Sequence, residues 1–466
     1  MRTLFASLRR PVAVLVVILL LLGFPAAAPG DELTHTIAMP LVIAPPAVLT
    51  VTNENGLRAA IQSANATQQM PRIELMADII LTAPLPSFNN PGAAPATIHG
   101  NGHRLDARGI GPILAVGPKT VVVVERLTMT GGEAALDSCG GGVFSAGDLT
   151  LRQSRVSGNR ADRGGGICVI ASGVDAALTL EQTIMDFNVA QLDGGALFVR
   201  AENNAAASVS VADSILSDNL AAGGNGGAMY VYARDGSTTL TLARSTVSSN
   251  RAAGTAGLYN IGNESYTEPG YAGAFIRNST FSGNVSTDGD GGAIANHSYP
   301  PVANGAPERP NGPSSSRYPP LGFGHVQLSY STITANIAIR GGGGGIFNAA
   351  YSPFFQLFGV IIAGNAPGKD CAGSITSNGY NLYGDNSCGL GQPTDLPGGQ
   401  ADLQTLEVSP PGLTPTHALG PASQARDRIP VGEAGCDPAV DTDQRGVSRP
   451  QPADSRCDIG SYEVSE

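Results

Sequence analysis

The chain has 466 residues, 61 of them glycine and 33 proline, with no tryptophan and two lysines, Lys119 and Lys369. So much glycine and proline excludes helical repeats, whose interiors disfavour both. A formal charge of −11, with scattered arginines and no basic stripe, argues against a nucleic-acid partner, because such a surface repels polyphosphate.

At the N-terminus, Arg2, Arg9 and Arg10 precede an apolar run over residues 12–24 and then Ala26, Ala27 and Ala28, which predicts a secretory signal over residues 1–28. Pro29 disfavours cleavage directly after the alanines, so an uncleaved anchor stands as the alternative. Removing the signal takes away three arginines and no acid, moving the charge from −11 to −14. No other stretch reaches spanning length, so membrane contact is expected only through this segment, with the remainder secreted or at the cell surface. Residues 29–49, rich in Ala and Pro, read as a linker. Over residues 56–66, Leu57, Ala60, Ile61 and Ala64 fall at helical spacing, predicting a short cap over the first coil of whatever follows. Strand-like segments at 73–81, 96–105 and 119–129 come next, and His99 and His103 among them read as structural or solvated.

From residue 154 one phrase recurs six times: Ser or Thr, an apolar residue two positions on, an Asn, then glycines and another apolar residue. The first copy is Ser154, Val156, Asn159, Gly164, Gly165, Gly166, Ile167; the second is Thr183, Met185, Asn188, Gly194, Gly195, Leu197. Asn219, Asn250, Asn284 and Asn336 mark the others, and Asn365 a degenerate seventh, at intervals of 29, 31, 31, 34, 52 and 29 residues. A period near thirty means a solenoid or array. Each copy follows a period-two alternation (Leu149, Leu151; Leu178, Leu180; Val209, Val211; Leu240, Leu242; Val326, Leu328), which means strand. Propeller repeats are longer and usually carry a Trp-Asp pair, absent here. The prediction is therefore an all-β, right-handed parallel β-helix over residues 50–366. Asn159, Asn188, Asn219, Asn250, Asn284, Asn336 and Asn365 would form an inward ladder, with glycine at the tight corners. The long interval contains 298–325, proline-rich with Pro300-Pro301 and Pro319-Pro320, read as a loop bulging from one coil. Residues 367–466 read as an irregular C-terminal cap, needed because an open solenoid end exposes a strand edge.

Six cysteines in an exported chain suggest disulfides. Cys371 pairs with Cys388 and Cys436 with Cys457, each pair bracketing an irregular segment of the cap. Cys139 precedes its glycine triplet and Cys168 follows its own, an offset of about five residues or roughly 15 Å in extended chain, so this pair reads as two buried free thiols.

These phrases resemble those of bacterial β-helix surface proteins, including the repeats of polymorphic outer membrane proteins. Thr50-Val-Thr-Asn, Gly56-Leu-Arg-Ala-Ala-Ile and Asn65 resemble the opening of secreted pectin-lyase-like proteins. Asp443-Gln-Arg-Gly, Arg449-Pro and Cys457-Asp-Ile-Gly-Ser-Tyr-Glu are similar to the choice-of-anchor Q region that closes many of them. The resemblance spans roughly residues 50–466 and implies a fold and a secreted location, without an activity.

Chemistry is sparse. Aligned on the residue after the glycines, Asp193, Asn225 and Asp290 share one position, interrupted by Gly254; Asp193 and Asp290 are the weak catalytic candidates, and acids before glycine are also ordinary turn formers. Asp288, Asp290, His297 and Arg277 form the densest cluster that a calcium-dependent lyase would need, with nothing fixing them on one face. No metal or other cofactor is otherwise expected. Tyr230, Tyr232 and Tyr259, with Tyr266, Tyr271 and Tyr299 nearby, are candidates for stacking on sugar. The leading expectation is a structural or adhesive surface module whose partner is an extracellular polysaccharide or another surface; the alternative is a polysaccharide lyase or glycoside hydrolase.

Overall fold

The alternation Leu149, Leu151 becomes the strand Asp148–Arg152, and each later coil lays its own copy directly against the one before. Leu149 thus stacks on Leu178, then Val209, Leu240, Ala274, Val326 and Phe355, every one buried. Among the described residues of this computed structural model, parallel strands build faces A and B of twelve strands each and face C of nine, with a short six-stranded face D between B and C. The chain runs A, B, D, C and back to A in the six coils that carry face D, and A, B, C in the coils Ala96–Val116 and Val121–Ser145, giving a right-handed parallel β-helix. The described residues are 47–67, 71–92, 94–262, 270–298, 323–349, 354–367, 369–453 and 455–465. The expected signal (1–28), residues 29–46 of the linker, residues 299–322 of the proline-rich insertion, Tyr266 and Tyr299 lie outside them.

The helix Glu54–Ala66 closes the N-terminal end. Asn53 caps it by accepting from the Gly56 N–H at 2.9 Å, and Leu57, Ala60, Ile61 and Ala64 are buried in the core.

Each part of the recurrent phrase has a place. At the A-to-B corner one residue per coil takes the left-handed conformation, among them Gln153, Gln182, Asp213 and Arg244 at φ 47 to 50°. The Ser or Thr that follows turns inward and accepts the backbone N–H of its counterpart one coil back: Thr183 N to Ser214 Oγ at 3.0 Å, Ser214 N to Ser245 Oγ at 3.1 Å, Ser245 N to Ser279 Oγ at 3.2 Å. The apolar residue (Val156, Met185, Leu216, Val247, Phe281, Ile333) is the inward row of face B. Next comes a second left-handed residue, then the Asn. From Asn159 to Asn365, each Nδ2 donates to the Oδ1 of the next Asn at 2.8 to 3.0 Å, and each backbone N–H donates to that same oxygen. The ladder ends where Asn365 Nδ2 meets the buried Asp370 Oδ1 at 2.9 Å. The glycines form the D-to-C corner, with positive φ at Gly164, Gly194, Gly226, Gly291 and Gly343.

That corner corrects one expectation. Cys139 and Cys168 form a disulfide with Cα atoms 5.6 Å apart. Cys139 bridges to Arg163, and the chain then folds so sharply at Gly164 that a Cβ there would lie 3.0 Å from Cys168 Cβ. The five-residue offset spans a closed corner, not extended chain.

The C-terminal region also differs from a simple end cap. Solenoid strands continue beyond residue 366 as Cys371–Gly373, Thr376–Ser377, Leu382–Tyr383 and Leu396–Pro397, with the Cys371–Cys388 disulfide inside this last coil. Beyond it, an antiparallel hairpin (Leu403–Val408, Pro415–Leu419) and the segment held by the Cys436–Cys457 disulfide lie back along face B as a clasp. Gln444 accepts from Thr280 at 2.7 Å and donates to Thr246 at 3.0 Å; Ser461 meets Thr332 at 2.9 Å; His417 Nε2 meets Ser282 Oγ at 2.9 Å. The clasp has a polar centre: the fully buried Arg449 pairs with Glu463 at 2.9 Å and lies over the Tyr330 ring at 4.7 Å. Burial pushes the Glu463 carboxyl up to about 7 against the pull of Arg449.

Two outcomes are expected. Asn250→Ala strips partners from Asn219, Leu216 and Asn284 in a dry interior, and is expected to cost about 3 kcal/mol in denaturant unfolding; a cost under roughly 0.5 kcal/mol would contradict the ladder's role. Burial lowers the His417 pKa below its ordinary 6.5, so its contribution is complete above that value and lost as pH falls through the lowered one. Amide protection factors over residues 403–419, taken against the intrinsic exchange rate at each pH, are therefore expected to fall from pH 7.5 to 5, and His417→Gln to diminish that dependence.

Candidate functional site

The acids marked in the sequence hold neighbouring coils together. Asp193 Oδ1 accepts the Asn225 N–H at 3.0 Å, Asn225 Oδ1 accepts the Thr255 N–H at 3.1 Å, and Asp290 Oδ1 accepts the Gly342 N–H. Asp193 and Asp290 are three coils apart, roughly 14 Å at ~4.8 Å per coil, whereas glycoside hydrolysis needs carboxyls about 5 to 9.5 Å apart. Asp288 pairs with Arg340 and Arg277 with Asp441 of the clasp, so the loose lyase cluster is dispersed. Among the described residues no group of three or more His, Cys, Asp or Glu is placed to hold a metal ion.

The tyrosines are brought together on the outward side of face C. Phe198, Tyr230 and Tyr259 share one row of the register, and His297 and Phe347 continue the column. Successive ring centroids are 5.3, 5.2, 4.8 and 5.3 Å apart, with the first two pairs within 15° of parallel. Coil spacing produces this stack, and it covers both faces of Tyr230 and Tyr259 with other rings. Tyr232 meets Tyr230 edge-on at 71°. Burial lowers the His297 pKa, so the column carries a neutral imidazole at pH 7.

An open aromatic surface lies instead at the start of face A, in the strands Tyr271–Arg277, Phe323–Ser329 and Phe354–Phe358. The outward row there reads Thr239, Gly273, His325, Phe354. Because Gly273 has no side chain, the Tyr271 ring lies down across the sheet; a Cβ at 273 would be 3.0 Å from both its Cε1 and its hydroxyl. The Tyr271 hydroxyl and His325 Nδ1 share a hydrogen bond of 3.1 Å. Phe275 and Phe354 stand edge-on against the His325 ring at 5.4 and 5.8 Å. Tyr271 and Phe354 keep 37% and 42% of their surface exposed, in a fold whose other large apolar side chains are mostly buried. Burial raises the Tyr271 pKa and lowers that of His325, so both are neutral at pH 7.

A second asparagine ladder anchors this region. Where earlier coils place Val199 and Val231 inward on face C, the next three place Asn260, Asn296 and Asn348. Asn260 Nδ2 donates to Asn296 Oδ1 at 2.9 Å and Asn296 Nδ2 to Asn348 Oδ1 at 3.0 Å, and the same amides reach the Ala272 and Gly324 carbonyls of face A at 2.9 Å. They tie the end of face C to the start of face A in the three coils that build the aromatic surface. The sequence signals were present: Gly273 sits between Tyr271 and Phe275 where the two preceding coils have Ser208 and Thr239, and the three asparagines interrupt an apolar row.

Fold and site together define a parallel β-helix with an exposed aromatic platform on one flank. Compared with known proteins, the chain matches no family model, no curated protein and no solved structure.

Gly273→Val is expected to lift the Tyr271 ring from the sheet while the strand persists, since Val suits an outward strand position. Loss of the Tyr271 hydroxyl contact, read from the His325 imidazole resonances, with an unfolding midpoint close to wild type, is the expected result; unchanged resonances would contradict the placement.

Proposed function

We propose that the chain is an exported β-helix protein of the cell surface or extracellular space, acting as a structural and adhesive module that holds glycan on the face A platform. The observation that carries this reading is the Tyr271 ring laid over Gly273 beside the exposed Phe354. A pyranose ring has an apolar C–H face that matches such a surface, while the adjoining hydroxyl and imidazole supply directional polar partners. Three disulfides fit an oxidising compartment, in keeping with the signal-like N-terminus. No described helix is long and apolar enough to cross a membrane. The resemblance to secreted pectin-lyase-like and polymorphic outer membrane proteins points the same way. Against the lyase or hydrolase alternative stand the wide separation of Asp193 from Asp290 and their engagement with backbone N–H groups.

The test is retention of the purified protein on columns of plant and microbial polysaccharides, with reducing ends and unsaturated products followed in parallel. Each ring contributes about 0.5–1.5 kcal/mol, so the double variant Tyr271→Ala, Phe354→Ala is expected to bind the retained polymer about tenfold more weakly or worse. Asp193→Asn is expected to bind like wild type. Cleavage of any polymer, or binding untouched by the double variant, would overturn the proposal.

A further inference from the structure

A trench of about 640 Å³ runs along the A-to-B corner of the earlier coils, well away in the sequence from the aromatic platform. One wall is the last outward residue of each face A strand: Glu125, Arg152, Glu181, with Ala212 where the wall drops. The other wall is the corner residue that follows each: Arg126, Gln153, Gln182, Asp213 and then Arg244. These corner residues all adopt left-handed φ between 47 and 53°. That conformation turns each side chain away from its predecessor, so the two walls splay apart and a channel opens between them. The hydroxyl ladder beneath fixes the corners, so the walls are set before any ligand arrives.

Hydrogen bonding within the walls runs along the solenoid axis, not across the trench. Arg152 Nε reaches Glu181 at 2.8 Å, Gln153 Nε2 reaches Gln182 Oε1 at 3.0 Å, and Arg244 grips Asp213 with two bonds of 2.8 and 2.7 Å. Among the described residues, the Arg126 guanidinium makes no side-chain hydrogen bond or ion pair. Guanidinium, carboxylate and carboxamide are all planar groups with paired donors or acceptors, the geometry that engages two neighbouring hydroxyls at once. Three arginines balance three acids in the lining, which removes any net attraction for an anionic or cationic chain. The walls repeat once per coil, about every 4.8 Å, so the matching ligand is extended and repetitive.

Resting on the glycan-binding reading and deepening it, we propose that this trench is a second, separate subsite that takes an uncharged, hydroxyl-rich linear chain, a neutral oligosaccharide laid parallel to the solenoid axis. The probes are cellohexaose, xylohexaose, mannohexaose and laminarihexaose, each titrated calorimetrically into the full chain at 50 and 500 mM salt. Wild type is expected to bind at least one of them, with affinity changing less than twofold between the two salts. Removing one arginine and one acid together keeps the charge balance of the lining, so Arg152→Ala with Glu181→Ala, and Arg244→Ala with Asp213→Ala, are the variants of choice. Each is expected to weaken that binding tenfold or more with an unchanged circular dichroism melt, whereas Tyr271→Ala with Phe354→Ala leaves hexasaccharide binding in place. Should the hexasaccharide respond to the platform variant and ignore both pair variants, the trench proposal fails while the platform reading stands. Absence of binding by all four probes, or a steep loss of affinity with salt, also overturns the trench proposal.

Discussion

In-register parallel stacking places each residue about 4.8 Å from its counterpart in the next coil, and that repetition is the constraint from which the molecule is built. An apolar residue at an inward position is covered by apolar residues above and below, as in the row from Leu149 to Phe355. A polar residue at an inward position must find its partner in the same way. Asparagine suits this demand because its amide carries both donor and acceptor, so one residue type repeated without change satisfies itself along the axis. The run from Asn159 to Asn365 does so, and its last donor is received by Asp370, an acceptor with nothing further to pass on. Ser and Thr serve the A-to-B corner by the same logic, with the hydroxyl accepting from the previous coil and donating to its own carbonyl two residues back.

Features that follow from repetition were legible in the sequence. The thirty-residue period, the strand alternation and the inward asparagines each express a rule that holds coil after coil, and the capping helix announces itself by its own apolar spacing. Features that depend on one departure from repetition were not. Cys139 and Cys168 looked too far apart because residue counting assumes extended chain, while the corner at Gly164 returns the chain on itself. Residues 403–465 carry the irregular, disulfide-held character of a C-terminal cap, but nothing in them announces that face B is the surface they cover. The covered stretch of face B carries Thr246, Thr280, Thr332 and then Ile361 in its outward row, the threonines supplying hydroxyls to the clasp and Ile361 packing into its apolar cluster.

The clasp is joined to the solenoid by an apolar cluster, in which Tyr330, Ile361 and Leu382 of the coils pack with Leu419, Ile429 and Ile459, and by a polar seam beside it. Outward strand positions beside solvent favour β-branched polar residues, and threonine meets that demand while offering a hydroxyl to Gln444 and Ser461. The buried Arg449–Glu463 pair lies within the clasp, with Arg449 bonded also to the Asp458 and Gly460 carbonyls and stacked over the Tyr330 ring of the solenoid. Gly460 lies where any Cβ would collide with Ile361, which fixes how closely this loop seats against the coil. The hydrogen-bonded part of the seam specifies position through geometry, each neutral bond contributing only about 1 kcal/mol net, while the apolar cluster beside it supplies the burial.

Repetition also decides where a ligand can be met. An aromatic ring with an aromatic neighbour in the next coil has its faces occupied by that neighbour, and the face C column from Phe198 to Phe347 is the result. The Tyr271 ring escapes this arrangement although Phe323 follows it in its own row, because Gly273 in the neighbouring outward row leaves room for the ring to lie on the sheet. The same reasoning applies to the trench, whose wall drops at Ala212 after the long side chains of Arg152 and Glu181. The two proposed recognition surfaces therefore lie beside small residues in the outward rows of face A, Gly273 and Ala212, which determine what the neighbouring side chains are able to touch.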